Sequence, residues 1–145
     1  MYIHAFDPGE NTGYCLLQCC LGVGHIHVTG SKTLTLYQEL AWVAETFQST
    51  KPNIVVIEAW RLYPHKALSQ IGSKMPAAEQ AGIIKYLCWL HNIEWVEQMA
   101  SCKQAFESPN VIAQVLPGYT LPKSEHEKDA LRHALYYWFN TGRHQ

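Results

Sequence analysis

The sequence predicts an α/β fold, a mixed five-stranded sheet with helices packed on it, in a single domain spanning residues 1–145. Three observations carry that expectation. The 145 residues are 48% apolar and 16% charged, which suits one sizeable core and no second one. The chain opens with three β-like runs joined by short connections, as in an antiparallel meander. Helical spacing then alternates with apolar β-branched runs, giving the order β-β-β-α-β-α-β-α-α.

Each element has its own signal. Tyr2 to Phe6 is mostly apolar and stops at Asp7-Pro8-Gly9, a strand running into a turn. Gly13 to Cys20 is the second strand, and Gly22 and Gly24 bracket a bend into the third, Val23 to Thr29. From Leu34 to Phe47, Leu36, Leu40, Val43, Ala44 and Phe47 recur at helical spacing. Asn53 to Ile57 is continuously apolar and β-branched, as in a strand buried on both faces, and it ends in Glu58. Pro76 suits a first helical turn, and Glu79 to His91 follows as a helix whose interior Gly82 is expected to permit close packing on the sheet. Ile93 to Val96 is a short strand, and Cys102 to Leu116 is helical but broken near Pro109. The last helix has a capping box, Ser124-x-x-Glu127, an apolar stripe of Leu131, Ala134, Leu135 and Trp138, and Gly142 at its C-cap.

Composition removes several classes of function. With 11 Lys+Arg against 12 Asp+Glu the formal charge is −1, so no basic arm dominates binding to a polyanion. No apolar run approaches the roughly 18 to 20 residues of a membrane span. The N-terminus lacks a signal-peptide layout, so no membrane partner and a cytoplasmic location are expected. Cys15, Cys19, Cys20, Cys88 and Cys102 form no Cys-x-x-Cys pair, and reduced thiols are the expectation. Only two aspartates occur, Asp7 and Asp129.

Acids close the core elements. Asp7 leaves the first strand, Glu58 leaves the central strand, and Asp129 lies in the last helix between His126 at i−3 and His133 at i+4. That helical arc borders the apolar stripe, so these polar groups are expected at the edge of the core. Gathered carboxylates repel one another, and a divalent cation relieves the repulsion. Oxygen donors suit magnesium or manganese, and two ions about 4 Å apart activate water against a phosphodiester. Each piece also has a plain reading. Asp-Pro-Gly is a turn, Glu58 a solvated strand end, and Asp129 an acid favoured near a helix N-terminus.

Taken in order, Asp7-Pro-Gly-Glu-Asn-Thr-Gly13, Val55-Val-Ile-Glu58, Glu79-Gln-Ala-Gly82 and His126-Glu-Lys-Asp129-Ala-Leu span nearly the whole chain. Together they resemble the RuvC-type Holliday-junction resolvases, and Asp129-Ala-Leu-Arg-His-Ala-Leu-Tyr-Tyr resembles phage-encoded members in particular. The resemblance implies a ribonuclease-H-like fold and a homodimer in the cytoplasm of a bacterial or phage-infected cell. It implies paired cutting of four-way junctions and other branched DNA with two Mg2+ ions, Mn2+ substituting. By position, Asp7 would bridge the ions, with Glu58 and Asp129 as further ligands. His126 stands where many relatives carry another acid. A neutral imidazole there would ligate a metal, whereas a protonated one would donate a proton or contact phosphate. His133 is read as supporting its neighbours.

The stretch from Ala59 to Ala78 contains Arg61, His65, Lys66 and Lys74 and no acid, and is the expected DNA surface. Trp60 and Tyr63 would stack on a base exposed at a branch point, unless Trp60 packs into the core. The family's aromatic wedge falls nearest Arg61. Lys103 is a weaker phosphate candidate, and Arg132 is expected on the outer, solvated side of its helix. Tyr86, Trp89 and Leu90 are either dimer surface or core. Two divalent ions would move the formal charge from −1 to about +3 beside the phosphate. The competing readings are an RNA-directed nuclease of the pre-ribosomal-RNA processing type and a non-catalytic branched-DNA-binding module. Asp7-x-Gly-x-x-Thr-Gly also resembles the first phosphate loop of actin-like and sugar-kinase ATPases, but the second phosphate motif of that fold is absent.

Overall fold

In the computed structural model, residues 1–20, 25–35, 38–61 and 74–141 are described, with the backbone alone for 38–40. The strands are β1 (Tyr2–Asp7), β2 (Asn11–Cys20), β3 (His25–Thr35), β4 (Ile54–Glu58) and β5 (Trp95–Gln98). The helices are α1 (Gln38–Thr50), α2 (Pro76–Leu90), a 3₁₀ helix (Ala100–Phe106), α3 (Pro109–Val115) and α4 (Glu125–Asn140). The strands form one mixed sheet in the order β3-β2-β1-β4-β5. β1 to β3 are antiparallel neighbours, while β4 runs parallel to both β1 and β5.

Alternation along the two central strands builds two cores. Ile3, Ala5, Ile54 and Val56 face α4, where Ala130, Leu131, Ala134, Leu135 and Trp138 fill the gap. Phe6, Val55 and Ile57 face the other way, onto Val43 and Phe47 of α1 and Ala81, Ile84 and Cys88 of α2. Both central strands are therefore covered on each face, which is why they read as continuous apolar runs. His4 is the polar member of β1. It sits fully buried between the Tyr14 hydroxyl and Thr50 Oγ1, each 3.0 Å from a ring nitrogen. Burial pulls its pKa down to about 3, so the ring is neutral.

Several boundaries differ from the sequence expectation. β3 continues to Thr35, because β2 pairs along its whole length and carries the ladder to Asn11–Thr35. Leu34 is thus a buried strand residue, not the start of a helix. Gly82 is exposed, and a Cβ added there would meet nothing within 4 Å, so it permits no close packing. The close approach occurs at Gly13 instead, where a Cβ would come within 1.8 Å of the His126 carbonyl oxygen. Ser124 starts α4 but makes no side-chain cap. Thr33 Oγ1 of β3 donates to Glu127 Oε1 at 2.9 Å and lies 3.0 Å from Ser124 Oγ, so the expected capping pair is spent on a tertiary contact. The break at Pro109 divides the 3₁₀ helix from α3, with the proline in the first helical turn. Gly22, Gly24, Leu36 and Gly142 lie outside the described residues, as does the side chain of Leu40.

Candidate active site

Parallel pairing of β1 with β4 brings Phe6 beside Ile57, so Asp7 and Glu58 leave the sheet at the same end. α4 crosses that end. Asp7 pairs with Gly13 in the β1–β2 ladder, and the missing side chain at Gly13 lets the first turn of α4 lie against the strand. The site thus joins residues 119 positions apart: His126 Nδ1 is 2.9 Å from Asp7 Oδ2.

All four residues named for catalysis, Asp7, Glu58, His126 and Asp129, come together here. The three carboxylates are more than four-fifths buried, whereas the His126 side chain is 48% exposed and faces the opening. Each acid has a basic partner. Lys103 Nζ donates to Glu58 Oε2 at 3.0 Å and to Asp129 Oδ2 at 2.6 Å. Arg132 donates to Asp129 Oδ1 at 2.5 Å. His133 Nε2 lies 2.8 Å from Glu58 Oε2.

The electrostatics separate the acids. Burial pushes the Asp7 carboxyl above its ordinary range, and the carboxylates of Glu58 and Asp129 add to that, against the opposing pull of His126 and Lys103. Glu58 also feels burial, but hydrogen bonds from His133 and Lys103 outweigh it and draw the carboxyl down to about 2. Burial opposes the Lys103 charge, yet Asp129 and Glu58 hold its pKa above the ordinary value.

Lys103, the weaker phosphate candidate, has its ammonium between two of the acids. Two expectations change on this geometry. Arg132 is not on the solvated side of α4, since its side chain is 14% exposed and bonded to Asp129. His133 is not at the core edge but fully buried. The placement of Lys103 had a readable signal. β5 runs parallel to β4, so residues just after it emerge at the acid-bearing end of the sheet. Arg132 follows Asp129 by three positions, the helical spacing for an ion pair.

As donors, three carboxylates and an imidazole fit a divalent cation. Burial chiefly raises the Asp7 carboxyl, with the Glu58 and Asp129 charges adding to it, and Lys103 shows that positive charge is accommodated between Glu58 and Asp129. In this arrangement the internal cations take up those oxygens. Among the described residues, no three His, Cys, Asp or Glu side chains converge closely enough to hold an ion.

Beside Glu58 a cleft of about 190 Å³ is lined by Pro8, Ala59, Trp60, Arg61, Ala77, Met99 and Ala100. Trp60 is 36% exposed at this wall, which places it outside the core. Arg61 and Lys74 are exposed, while Tyr63, His65 and Lys66 lie outside the described residues. Tyr86, Trp89 and Leu90 are exposed on α2, each more than half open, so they are surface and not core. A larger cleft between His25–Val28 and Val115–Tyr119 lies toward the opposite end of β2 from Gly13, away from the acids.

The same architecture occurs in solved structures. Thermus thermophilus RuvC in complex with Holliday junction substrate superimposes with a TM-score of 0.76 at 15% identity, covering 99% of this chain and 98% of that one. The fowlpox virus resolvase complexed with substrate Holliday junction DNA gives 0.67 at 16% identity, over 93% of this chain and 97% of that one. The yeast mitochondrial Holliday junction resolvase gives 0.56 at 9% identity, over 93% and 76%. No protein-family model matches the chain, and no curated protein matches it. The fold is therefore ribonuclease-H-like, as in RuvC and the poxvirus resolvase, and the motif resemblance holds at that level. No helix among the described residues is long and apolar enough to cross a membrane.

Proposed function

We propose that this chain is a structure-selective, metal-dependent DNA endonuclease. On this reading it resolves four-way junctions and other branched DNA by paired phosphodiester hydrolysis. One observation carries the reading: Asp7, Glu58, Asp129 and His126 meet at one end of a sheet whose fold is shared with RuvC. The active unit is the single domain over residues 1–145, acting as a homodimer, because two-fold symmetric incision needs two sites. The exposed Tyr86, Trp89 and Leu90 are the surface offered for that pairing. The working location is the cytoplasm of a bacterial or phage-infected cell.

Asp7, Glu58, Asp129 and His126 would hold two Mg2+ ions, with Mn2+ able to substitute. Bound there, such ions supply an activated water and charge stabilisation for the leaving oxygen. The chain's own residues do the rest. Lys103 donates to both Glu58 and Asp129 and helps hold Glu58 ionised. Arg132 fixes the second oxygen of Asp129. His126, half exposed beside Asp7, presents its far ring nitrogen to the opening, where it meets either an ion or a backbone phosphate. Trp60 and Tyr63 stack on an unpaired base at the branch, and Arg61, Lys66 and Lys74 contact phosphates. Lys103 reaches the scissile phosphate if it swings away from the acids.

The test is cleavage of a synthetic four-way junction beside linear duplex and RNA–DNA hybrid, in Mg2+, Mn2+ or EDTA. The junction alone should be cut, only with metal. Equal cutting of hybrid or RNA would favour an RNA-directed nuclease, and junction binding without cutting would favour a non-catalytic module.

A further inference from the structure

Beneath the acid cluster lies a polar chain that neither the fold nor the proposed chemistry has used. His133 of α4 has no exposed surface, and Gln98 at the end of β5 is 7% exposed. His133 Nδ1 is 2.8 Å from Gln98 Oε1, and Nε2 is 2.8 Å from Glu58 Oε2. Gln98 and Glu58 are partners in the β4–β5 ladder, and the Gln98 carbonyl accepts from Ala59 N at 2.7 Å. The imidazole is thus inserted between the last side chains of two zipped strands. The buried ring is tolerated there because both of its nitrogens have partners.

The donor assignment at Glu58 follows from chemistry. An ionised carboxylate only accepts, so Nε2 carries the hydrogen that points at Oε2. Gln98 then meets Nδ1 with its NH2 group if the ring is neutral and with its oxygen if the ring is protonated. In both cases the Nε2–H bond to Glu58 stands. Two donors therefore share Oε2, and they come from different sides. Lys103 approaches from the partly exposed side and His133 from the interior. Any cation reaching Glu58 from the opening competes with Lys103 and leaves the interior bond untouched.

We propose that His133, itself fixed by Gln98, is a positioning residue that holds the Glu58 carboxylate aimed at the opening when Lys103 gives way, and so sets the affinity of the site for a divalent ion. This rests on the reading of the site as metal-dependent. Groups that orient metal ligands typically change affinity 10- to 100-fold when removed.

The test uses the full chain and Mn2+ alone, with bound ion measured by electron paramagnetic resonance, before any DNA is added. Asparagine at 133 places its amide near the Nδ1 position and cannot reach Glu58, whereas glutamine places its amide near Nε2. Relative to wild type, His133→Asn should weaken Mn2+ binding by about 10- to 100-fold. His133→Gln should restore it to within a few-fold. Junction cleavage by His133→Asn should recover toward the wild-type rate as Mn2+ is raised. If His133→Asn fails to fold, Gln98→Met makes the same comparison by removing the support of the ring. Mn2+ affinity unchanged in the folded variants, or equally poor in Asn and Gln, overturns the positioning role and leaves the nuclease reading standing. A wild-type chain that binds no Mn2+ overturns both.

Discussion

The ammonium of Lys103 lies 2.6 Å from Asp129 Oδ2 although 26 residues separate them, and the same nitrogen reaches Glu58 Oε2 at 3.0 Å. A built-in cation thus stands between two acids proposed to bind external ones. Lys103→Met should expose that competition. In EDTA the variant should melt several degrees lower, a loss of about 1–2 kcal/mol once partial exposure is allowed for. Added Mg2+ should then raise its melting temperature by more than it raises wild type. Thermal unfolding with and without Mg2+ measures this, and equal shifts would show that Lys103 does not compete with the ion.

Asp7 should trade stability for function. Its carboxyl is raised by burial and by its two acidic neighbours, so the folded state holds that proton more tightly than the unfolded chain does. Above that range the ionised group subtracts from stability. Asp7→Asn should therefore raise the melting temperature at pH 7 without metal, while abolishing junction cleavage. A lower melting temperature would mean that the bond to His126 outweighs burial and repulsion together.

Glu58 carries the opposite sign. Its carboxyl falls from an ordinary 4.5 to about 2 on folding. The stability it contributes is complete above pH about 4.5 and is lost as the pH drops toward 2. Denaturant unfolding across that window should show the gap between wild type and Glu58→Gln closing as the solution becomes more acidic. A gap independent of pH would contradict the assignment.

Two glycines should respond in opposite ways to alanine. At Gly13 a Cβ would overlap the His126 carbonyl, so α4 must move away from β1. Gly13→Ala should cost about 1–3 kcal/mol and weaken cleavage, because Asp7 and His126 separate. Gly82 sits in an exposed helix interior with open space around it, and Gly82→Ala should gain up to about 1 kcal/mol with unchanged cleavage. Equilibrium unfolding of both variants checks the contrast.

Much of this layout was legible in the residues. Asp7 and Glu58 announced themselves by ending apolar strands, because a carboxylate after a two-faced buried run has few places to go but the end of the sheet. His126 and Asp129 were legible from helical spacing. Lys103 and Arg132 left weaker signals, one following a strand parallel to β4 and the other three positions after Asp129, while Gln98 left none, since its role depends on which strands are neighbours and on how α4 is rotated. Ser124 and Glu127 misled for a related reason. A capping box is a local signature, and Thr33, some 90 residues away, competes for both side chains. Gly82 misled because a helical glycine looks alike whether it faces a sheet or water.

The central claim is that the acid cluster cuts branched DNA on two strands. Strand-resolved mapping of nicks in a four-way junction with Mg2+, using wild type and Asp129→Asn, addresses it most directly. Paired, symmetry-related nicks from wild type and none from Asp129→Asn are the expected result. Unpaired nicks, or full cutting by Asp129→Asn, would contradict it.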